Sequence, residues 1–176
     1  HGGSKFEPNV PSMSETLEFF NKMEFPKERL VLRVDPVFPT FQGVPKAIEV
    51  IQKARKDCRV RISFLDAYDH VKKRIPDDWN WSFWYDGLHA KLGLRERYLA
   101  DIKIYTDRLD IEVCGEPGME CSGCVSAVDI KALGLELDSD RTGGQRLGCT
   151  CLAIKKELLM TKKPCQHGCL YCYWRG

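Results

Sequence analysis

Three short strand-like runs, each set behind a stretch of helical periodicity, limit what this chain can fold into. Residues 30–35, Leu-Val-Leu-Arg-Val-Asp, read as a strand that Pro36 closes, and the period of two puts Arg33 and Asp35 on one face. A second strand is expected over 60–65, ending at Asp66, and a third over 110–114, ending at Cys114. Ahead of the first strand, Ser12 and Glu15 form a capping box for a helix over 13–23, with Leu17, Phe20 and Phe19 as its apolar face and Pro26 as its stop. Pro45 suits the first turn of a helix running to Lys56, with Ile48, Ile51 and Ala54 inward. A short helical stretch follows over 67–74. Strong helical periodicity then spans 88–109 through Leu92, Leu99, Ile102 and Tyr105. Between these two lie Trp79, Trp81, Phe83, Trp84 and Tyr85, read as a loop or a helix start.

Helix and strand alternate three times, the pattern of β/α units on a parallel sheet. Three strands cannot close an eight-stranded barrel. The expectation is therefore an α/β fold: a partial or permuted (β/α) barrel segment over 5–114, then a cysteine-rich, loop-dominated region over 115–176. Past Cys114 the regular pattern fades to a short helix over 125–133 and glycine-punctuated loops. In barrels of this kind the C-terminal strand ends carry the chemistry. Here those ends offer Arg33, Asp35 and Asp66 as candidate cofactor-binding residues, and Cys114. Arg33 and Asp35 either line such a pocket or form an internal ion pair, and Glu112 is placed to face the same pocket.

Nine cysteines are present, eight of them after residue 113. The count is odd, long amphipathic segments precede the cysteines, and no signal-peptide pattern opens the sequence. This argues against a secreted disulfide scaffold and for metal ligation in a reducing, cytoplasmic setting. With 27 basic and 25 acidic side chains the net charge is +2. That lacks the positive excess of a phosphate-binding surface, so charge does not indicate a nucleic-acid partner. The tryptophan-rich stretch offers the one stacking platform, although such clusters more often cap a core. No apolar run approaches the ~20 residues needed to cross a bilayer, so no membrane partner is expected.

The tail carries Cys165-x3-Cys169-x2-Cys172. Three closely spaced thiolates can hold three irons of a [4Fe–4S] cluster and leave the fourth open, and Gly168 lets the loop curl. The competing reading is a zinc knot with His167 as fourth ligand, but structural zinc sites usually pair Cys-x2-Cys with a second pair. A second group comprises Cys114, Cys121, Cys124, Cys149 and Cys151. Any four of these complete an all-protein shell, for an auxiliary cluster or a structural zinc. Cys58 stands alone and reads as a plain thiol.

The x3-x2 spacing, with Tyr171 as the aromatic residue before the last cysteine, resembles the signature of radical S-adenosylmethionine enzymes. That resemblance implies that the open iron takes the amino and carboxylate groups of S-adenosylmethionine, that Tyr171 lies on the cofactor side, and that a flavodoxin- or ferredoxin-like protein donates electrons. The wording Cys-x-His-Gly-Cys-x-Tyr-Cys-Tyr is similar to that of spore-photoproduct-lyase-like enzymes, which implies a nucleic-acid substrate. From Glu7-Pro8-Asn9-Val10-Pro11 onward the chain resembles a bacterial family, domain of unknown function 1848, described as radical-SAM-like. The resemblance is carried by Arg33-Val34-Asp35-Pro36, Ser63-Phe64-Leu65-Asp66-Ala67-Tyr68, Cys114-Gly115-Glu116, Cys124, Gln145-Arg146, Cys149-Thr150-Cys151 and the tail.

It implies Cys114, Cys124, Cys149 and Cys151 as the second site, with Cys121 an extra. It also implies a further segment upstream, so that His1-Gly2-Gly3 is native and an upstream half of the same protein, or a partner chain, supplies the missing strands. Two features depart from ordinary radical-SAM enzymes. The triple-cysteine loop closes the chain, which a circular permutation with a strand over 154–160 in first place would reconcile. The Gly-Gly-Glu motif is absent, and Gly143-Gly144-Gln145 is a poor substitute. The alternative to an enzyme is a zinc-stabilised binding module acting through its aromatic cluster and lysines.

Overall fold

The computed structural model describes residues 4–76, 79–136, 143, 149–152 and 165–173. The strand expected over 154–160, Gly144, Gln145 and Arg146 lie outside the described residues.

Helix α1 (Met13–Asn21) starts on the expected capping box: the Ser12 hydroxyl accepts from the Glu15 N–H at 3.2 Å, and the Glu15 carboxylate accepts from the Ser12 N–H at 2.9 Å. Leu17 is its buried residue, with Met13 and Phe20 packed alongside. Phe19 points outward and is 75% exposed, because it falls off the stripe that i, i+3 and i+4 spacing defines. Strand β1 (Val31–Val37) runs through Pro36 where the sequence suggested a stop. Among the described strands β1 lies at the sheet edge, where a residue without an N–H is tolerated. Helix α2 (Gly43–Lys53) buries Val44, Ala47 and Ile51. Strand β2 (Arg59–Phe64) follows, then a single turn, α3 (Asp69–Lys72).

The stretch expected to open a long helix instead makes another turn, α4 (Trp81–Trp84), and a small antiparallel hairpin, β3 (Tyr85–Asp86) with β4 (His89–Ala90). Gly87 sits in the hairpin turn at φ +67°, a conformation that glycine adopts without a Cβ clash. Helix α5 (Leu92–Thr106) therefore starts later than its periodicity suggested. Its buried stripe is Arg95, Tyr98, Ile102 and Thr106, whereas Leu92 and Tyr105 are exposed. Strand β5 (Glu112–Val113) and helix α6 (Ala127–Ala132) complete the described elements.

The main sheet has the order β1-β2-β5, all parallel, with Val31 opposite Arg59 and Ile62 opposite Val113. This is a mixed α/β fold with a small parallel sheet, and the described strands do not close into a barrel. Alternation gives the sheet two unlike faces. Leu32, Val60, Ile62 and Val113 pack with Ala47 and Ile51 of α2 and with Tyr98 and Ile102 of α5 in the main core. The intervening positions, Arg33, Asp35, Arg59, Arg61, Ser63 and Glu112, make the other face polar. The chain after Cys114 folds over part of that face. Arg61, 4% exposed, donates to Glu112, to Asp129 of α6 and to the Cys124 carbonyl at 3.0 Å. Arg59 completes the network with Glu112 and Asp129.

A second buried pair ties the helical layer to the strand ends. Arg95 donates to Glu116 at 3.0 Å and to the Ala90 carbonyl at 2.7 Å, and the other Glu116 oxygen accepts from the Phe64 N–H at 2.7 Å. Both side chains are at least nineteen-twentieths buried. Burial pushes the Glu116 carboxyl up to about 7, against the Phe64 amide and the Arg95 charge, which favour its ionised form. Replacing Arg95 by Met should cost about 3–5 kcal/mol, because it strands a buried carboxylate. Urea unfolding of the two proteins checks this, and a loss below about 1 kcal/mol would show that the pair does not tie the layers together.

Candidate metal centres at the strand ends

The tail loop is fastened by hydrogen bonds to the N-terminal segment, to Asp66 just past β2 and to Arg74, and not by its own secondary structure. The Leu170 N–H donates to the Phe6 carbonyl at 2.9 Å, and Asn9 donates through Nδ2 to the Gln166 carbonyl at 2.9 Å and through its N–H to the His167 carbonyl at 3.3 Å. From the other side, Arg74 Nη2 donates to the Cys172 carbonyl at 2.5 Å, and the Tyr173 hydroxyl accepts from the Asp66 N–H at 3.0 Å. Leu170, Tyr171 and Tyr173 pack on a small core of Leu65, Val71 and Ile75, which Phe38 and Trp79 also cover. Part of the aromatic cluster thus caps this core. Gly168 takes φ +69° and lets the loop double back, so that the Cys172 N–H reaches the Cys169 carbonyl at 3.3 Å.

Three thiols lie on this loop, Cys165 exposed, Cys169 and Cys172 half-buried. Burial pushes the Cys169 thiol up. His167 sets Nδ1 3.2 Å from the Asn9 carbonyl, so that nitrogen is engaged with the N-terminal segment. The Tyr171 hydroxyl donates to Glu7, and its ring meets Phe38 edge-on at 5.7 Å. Burial and the Glu7 carboxylate both raise the Tyr171 phenol.

The second group assembles on the polar face of the sheet. Cys124 and Cys151 stand with sulfurs 3.1 Å apart, and the Cys124 N–H donates to the Cys151 sulfur at 3.2 Å. Cys114 contacts Cys124 through sulfur, and Cys149 contacts Cys151. The four thiols therefore form one chain of contacts. Gly123 permits it: a Cβ there would lie 2.6 Å from the Thr150 carbonyl and 2.7 Å from Cys151 Cα. The Leu152 N–H closes the arrangement on the Val125 carbonyl at 2.9 Å. Cys121 stands apart, its sulfur bonded to the Glu116 backbone. The Cys124 contact and burial raise the Cys114 thiol, and burial then the Cys124 contact raise Cys151. A 3.1 Å contact is too long for a disulfide of about 2.05 Å. It is also shorter than the roughly 3.8 Å between two thiolates on one tetrahedral zinc with 2.3 Å bonds. All nine cysteines are free thiols. Among the described residues no three Cys, His, Asp or Glu side chains converge to hold a single ion.

Arg33 and Asp35 form an ion pair at 2.7 Å, but not the internal one expected as an alternative, since Arg33 is 43% exposed. Asp35 also accepts from the Ser63 hydroxyl at 2.5 Å. Burial works against the Arg33 charge, but Asp35, Cys114 and Cys124 together raise its pKa, which sets Arg33 within electrostatic reach of the second thiol group. Asp66 is 1% exposed and meets His89 Nδ1 at 2.9 Å. Glu112 belongs to the Arg59–Arg61 network. Sequence reasoning missed His89, Tyr85 and Arg95. Each is a lone polar residue in an aromatic or helical stretch, and only the fold brings it to a strand end. Glu116 and Gly123 lay beside cysteines and carried at least that signal.

The fold and these groups define a mixed α/β protein with two separate thiol clusters on one parallel sheet. A family model described as Domain of unknown function (DUF1848) matches residues 2–174, and the chain belongs to that family. No curated protein and no solved structure matches it.

Thiol alkylation of the reduced, metal-free protein should modify Cys165 first and Cys114 and Cys151 last, by a factor of about ten or more. Exposure favours Cys165, whereas the Cys124 contact and burial hold Cys114 protonated, and burial with the Cys124 contact does so for Cys151. Peptide mapping by mass spectrometry gives the order, and early labelling of Cys114 or Cys151 would contradict this packing.

Proposed function

We propose that the protein is an iron–sulfur enzyme of the radical S-adenosylmethionine type. Cys165, Cys169 and Cys172 hold a [4Fe–4S] cluster with one open iron, and Cys114, Cys124, Cys149 and Cys151 hold an auxiliary cluster. The observation that carries this reading is the donor set itself: three thiols on one loop, and four thiols joined in a chain of contacts on the polar face of the sheet. His167 sets Nδ1 on the Asn9 carbonyl, an arrangement that leaves Nε2 for a metal, so the zinc-knot alternative is decided by metal content and not by this contact. Each thiolate of a cubane binds its own iron, so its ligands need not converge on one point as zinc ligands must. Cys124 and Cys151 would spread apart on loading, and their protons would leave with it.

When bound and reduced, such a cluster supplies the electron that cleaves the sulfonium of S-adenosylmethionine. The chain's own part is to position and shield. Residues 6–9, Asp66 and Arg74 hold the tail loop on the strand ends. Arg33, within electrostatic reach of Cys114 and Cys124, and Asp35 would meet the carboxylate and amino groups of a cofactor. The sheet fits a partial or permuted (β/α) barrel, because sequential parallel strands with helices α2 and α5 on the apolar face leave the polar face inward. The remaining strands would come from an upstream half or a partner chain. A flavodoxin- or ferredoxin-like protein would donate electrons in a reducing, cytoplasmic setting. No described helix is long and apolar enough to cross a membrane. A nucleic-acid substrate rests on the tail wording alone and gains no support from charge.

Anaerobic purification should give a brown protein with about eight irons and eight sulfides per chain, for two cubanes. Replacing Cys165, Cys169 and Cys172 together by Ala should leave about four of each. A colourless protein with stoichiometric zinc would identify a zinc-stabilised binding module instead. With dithionite and S-adenosylmethionine, the wild-type protein should form 5′-deoxyadenosine and the triple variant none.

A further inference from the structure

The carboxyl end of β2 holds a group of polar side chains that the thiol clusters do not account for. Asp66 is 1% exposed and fully inside the fold, yet it meets His89 Nδ1 at 2.9 Å. His89 reaches it from the β3–β4 hairpin, which is tied to the strand end by the Ala67 N–H on the Leu88 carbonyl at 2.7 Å. A carboxylate oxygen accepts, so with Asp66 ionised the His89 proton sits on Nδ1 and Nε2 offers its lone pair. That Nε2 has no protein partner among the described residues and is not sealed from solvent, the side chain being 18% exposed. Near the pair, the Tyr85 hydroxyl is buried without a partner among the described residues, in a residue only 6% exposed. The field of Asp66 and Tyr173 acts on it. The Tyr173 hydroxyl accepts from the Asp66 N–H, one residue beyond Cys172. A cavity of about 310 Å³ opens beside the same hairpin, lined by Ala67, Tyr68, Asp69, Lys72, Gly87 and Leu88.

We propose that Asp66 and His89 form an acid–base dyad next to the tail loop, in which His89 Nε2 takes a proton from a hydroxyl or ammonium group of the substrate and returns it. The inference rests on reading this end of the sheet as the reaction site, but not on which metal the thiols hold. An imidazole exchanges protons near neutral pH, and a carboxylate on the opposite nitrogen fixes its tautomer and stabilises the imidazolium. In the step, the substrate O–H or N–H bond breaks and its electron pair stays on the oxygen or nitrogen. The proton bonds to Nε2, and the positive charge is shared with Asp66. No oxidant or reductant enters. The substrate class is thus a molecule with an ionisable hydroxyl or amine at its reacting end.

Carbethoxylation by diethyl pyrocarbonate, mapped residue by residue on the full chain, tests this without a known substrate. His89 should be modified, and Asp66→Asn should slow that modification by at least about tenfold, because an amide that donates to Nδ1 moves the proton to Nε2 and removes the attacking lone pair. The far-ultraviolet circular dichroism should stay unchanged. An unreactive His89, or equal rates in a folded Asp66→Asn protein, would overturn the proposal. If Asp66→Asn does not fold, nitrogen NMR of the wild-type histidines decides. A neutral His89 protonated on Nδ1 supports the dyad, and one protonated on Nε2 overturns it. Iron measured on the same samples keeps this outcome separate from the cluster reading, since neither histidine readout depends on the metal.

Discussion

Arg61 is the side chain on which the rest of this structure depends. It lies on the central strand, almost fully buried, on the face that carries no apolar core. A guanidinium taken out of water must spend its donors on acceptors, or it destabilises the fold by several kcal/mol. Arg61 uses Glu112 on the neighbouring strand, Asp129 on α6 and the backbone carbonyl of Cys124. One buried charge thus draws the segment after Cys114 onto the sheet and fixes the position of Cys124. Gly123 then allows the segment of residues 149–152 to approach, and the four thiols meet.

The same logic, with weaker bonds, holds the tail. Its thiol loop has no helix or strand of its own. Position comes from carbonyl and amide partners on residues 6–9, from the Asp66 N–H and from the Arg74 guanidinium. The second thiol group is thus placed on the sheet itself, and the tail group on the segments that flank it. The Arg33–Asp35 pair, on β1, shares the polar face with the second group, and the Asp66–His89 pair sits by the first. Chemistry at these strand ends would use side chains placed by β1, β2 and the short hairpin, not by the mobile ends of long side chains.

The strands, the order of helices and strands, and the cysteine groups could be read from the sequence because each rests on local spacing. A period of two, a capping box and Cys-x3-Cys-x2-Cys need no tertiary information. The failures came where tertiary contacts override local preference. Pro36 did not end β1 because an edge strand tolerates it. The 85–90 hairpin replaced a helix start because Gly87 turns the chain and Tyr85 and Ala90 join a small buried cluster with Ala67. Phe19 and Tyr105 are exposed although apolar. Arg95, Glu116, His89 and Tyr85 were invisible as a group, since their partners are 21 or more residues away or lie across the sheet. The resemblance to the DUF1848 family, carried by short dispersed motifs, holds over nearly the whole chain.

The central claim is that the tail loop holds a cluster with one iron open to a small-molecule ligand, while the other four thiols close a separate shell. Mössbauer spectroscopy of protein loaded anaerobically with isotopically enriched iron tests it most directly. Two cubane signals are expected, and S-adenosylmethionine should shift one iron site of one cluster while leaving the other cluster unchanged. A spectrum that S-adenosylmethionine does not alter, or a protein that takes up zinc in place of iron, would contradict the account.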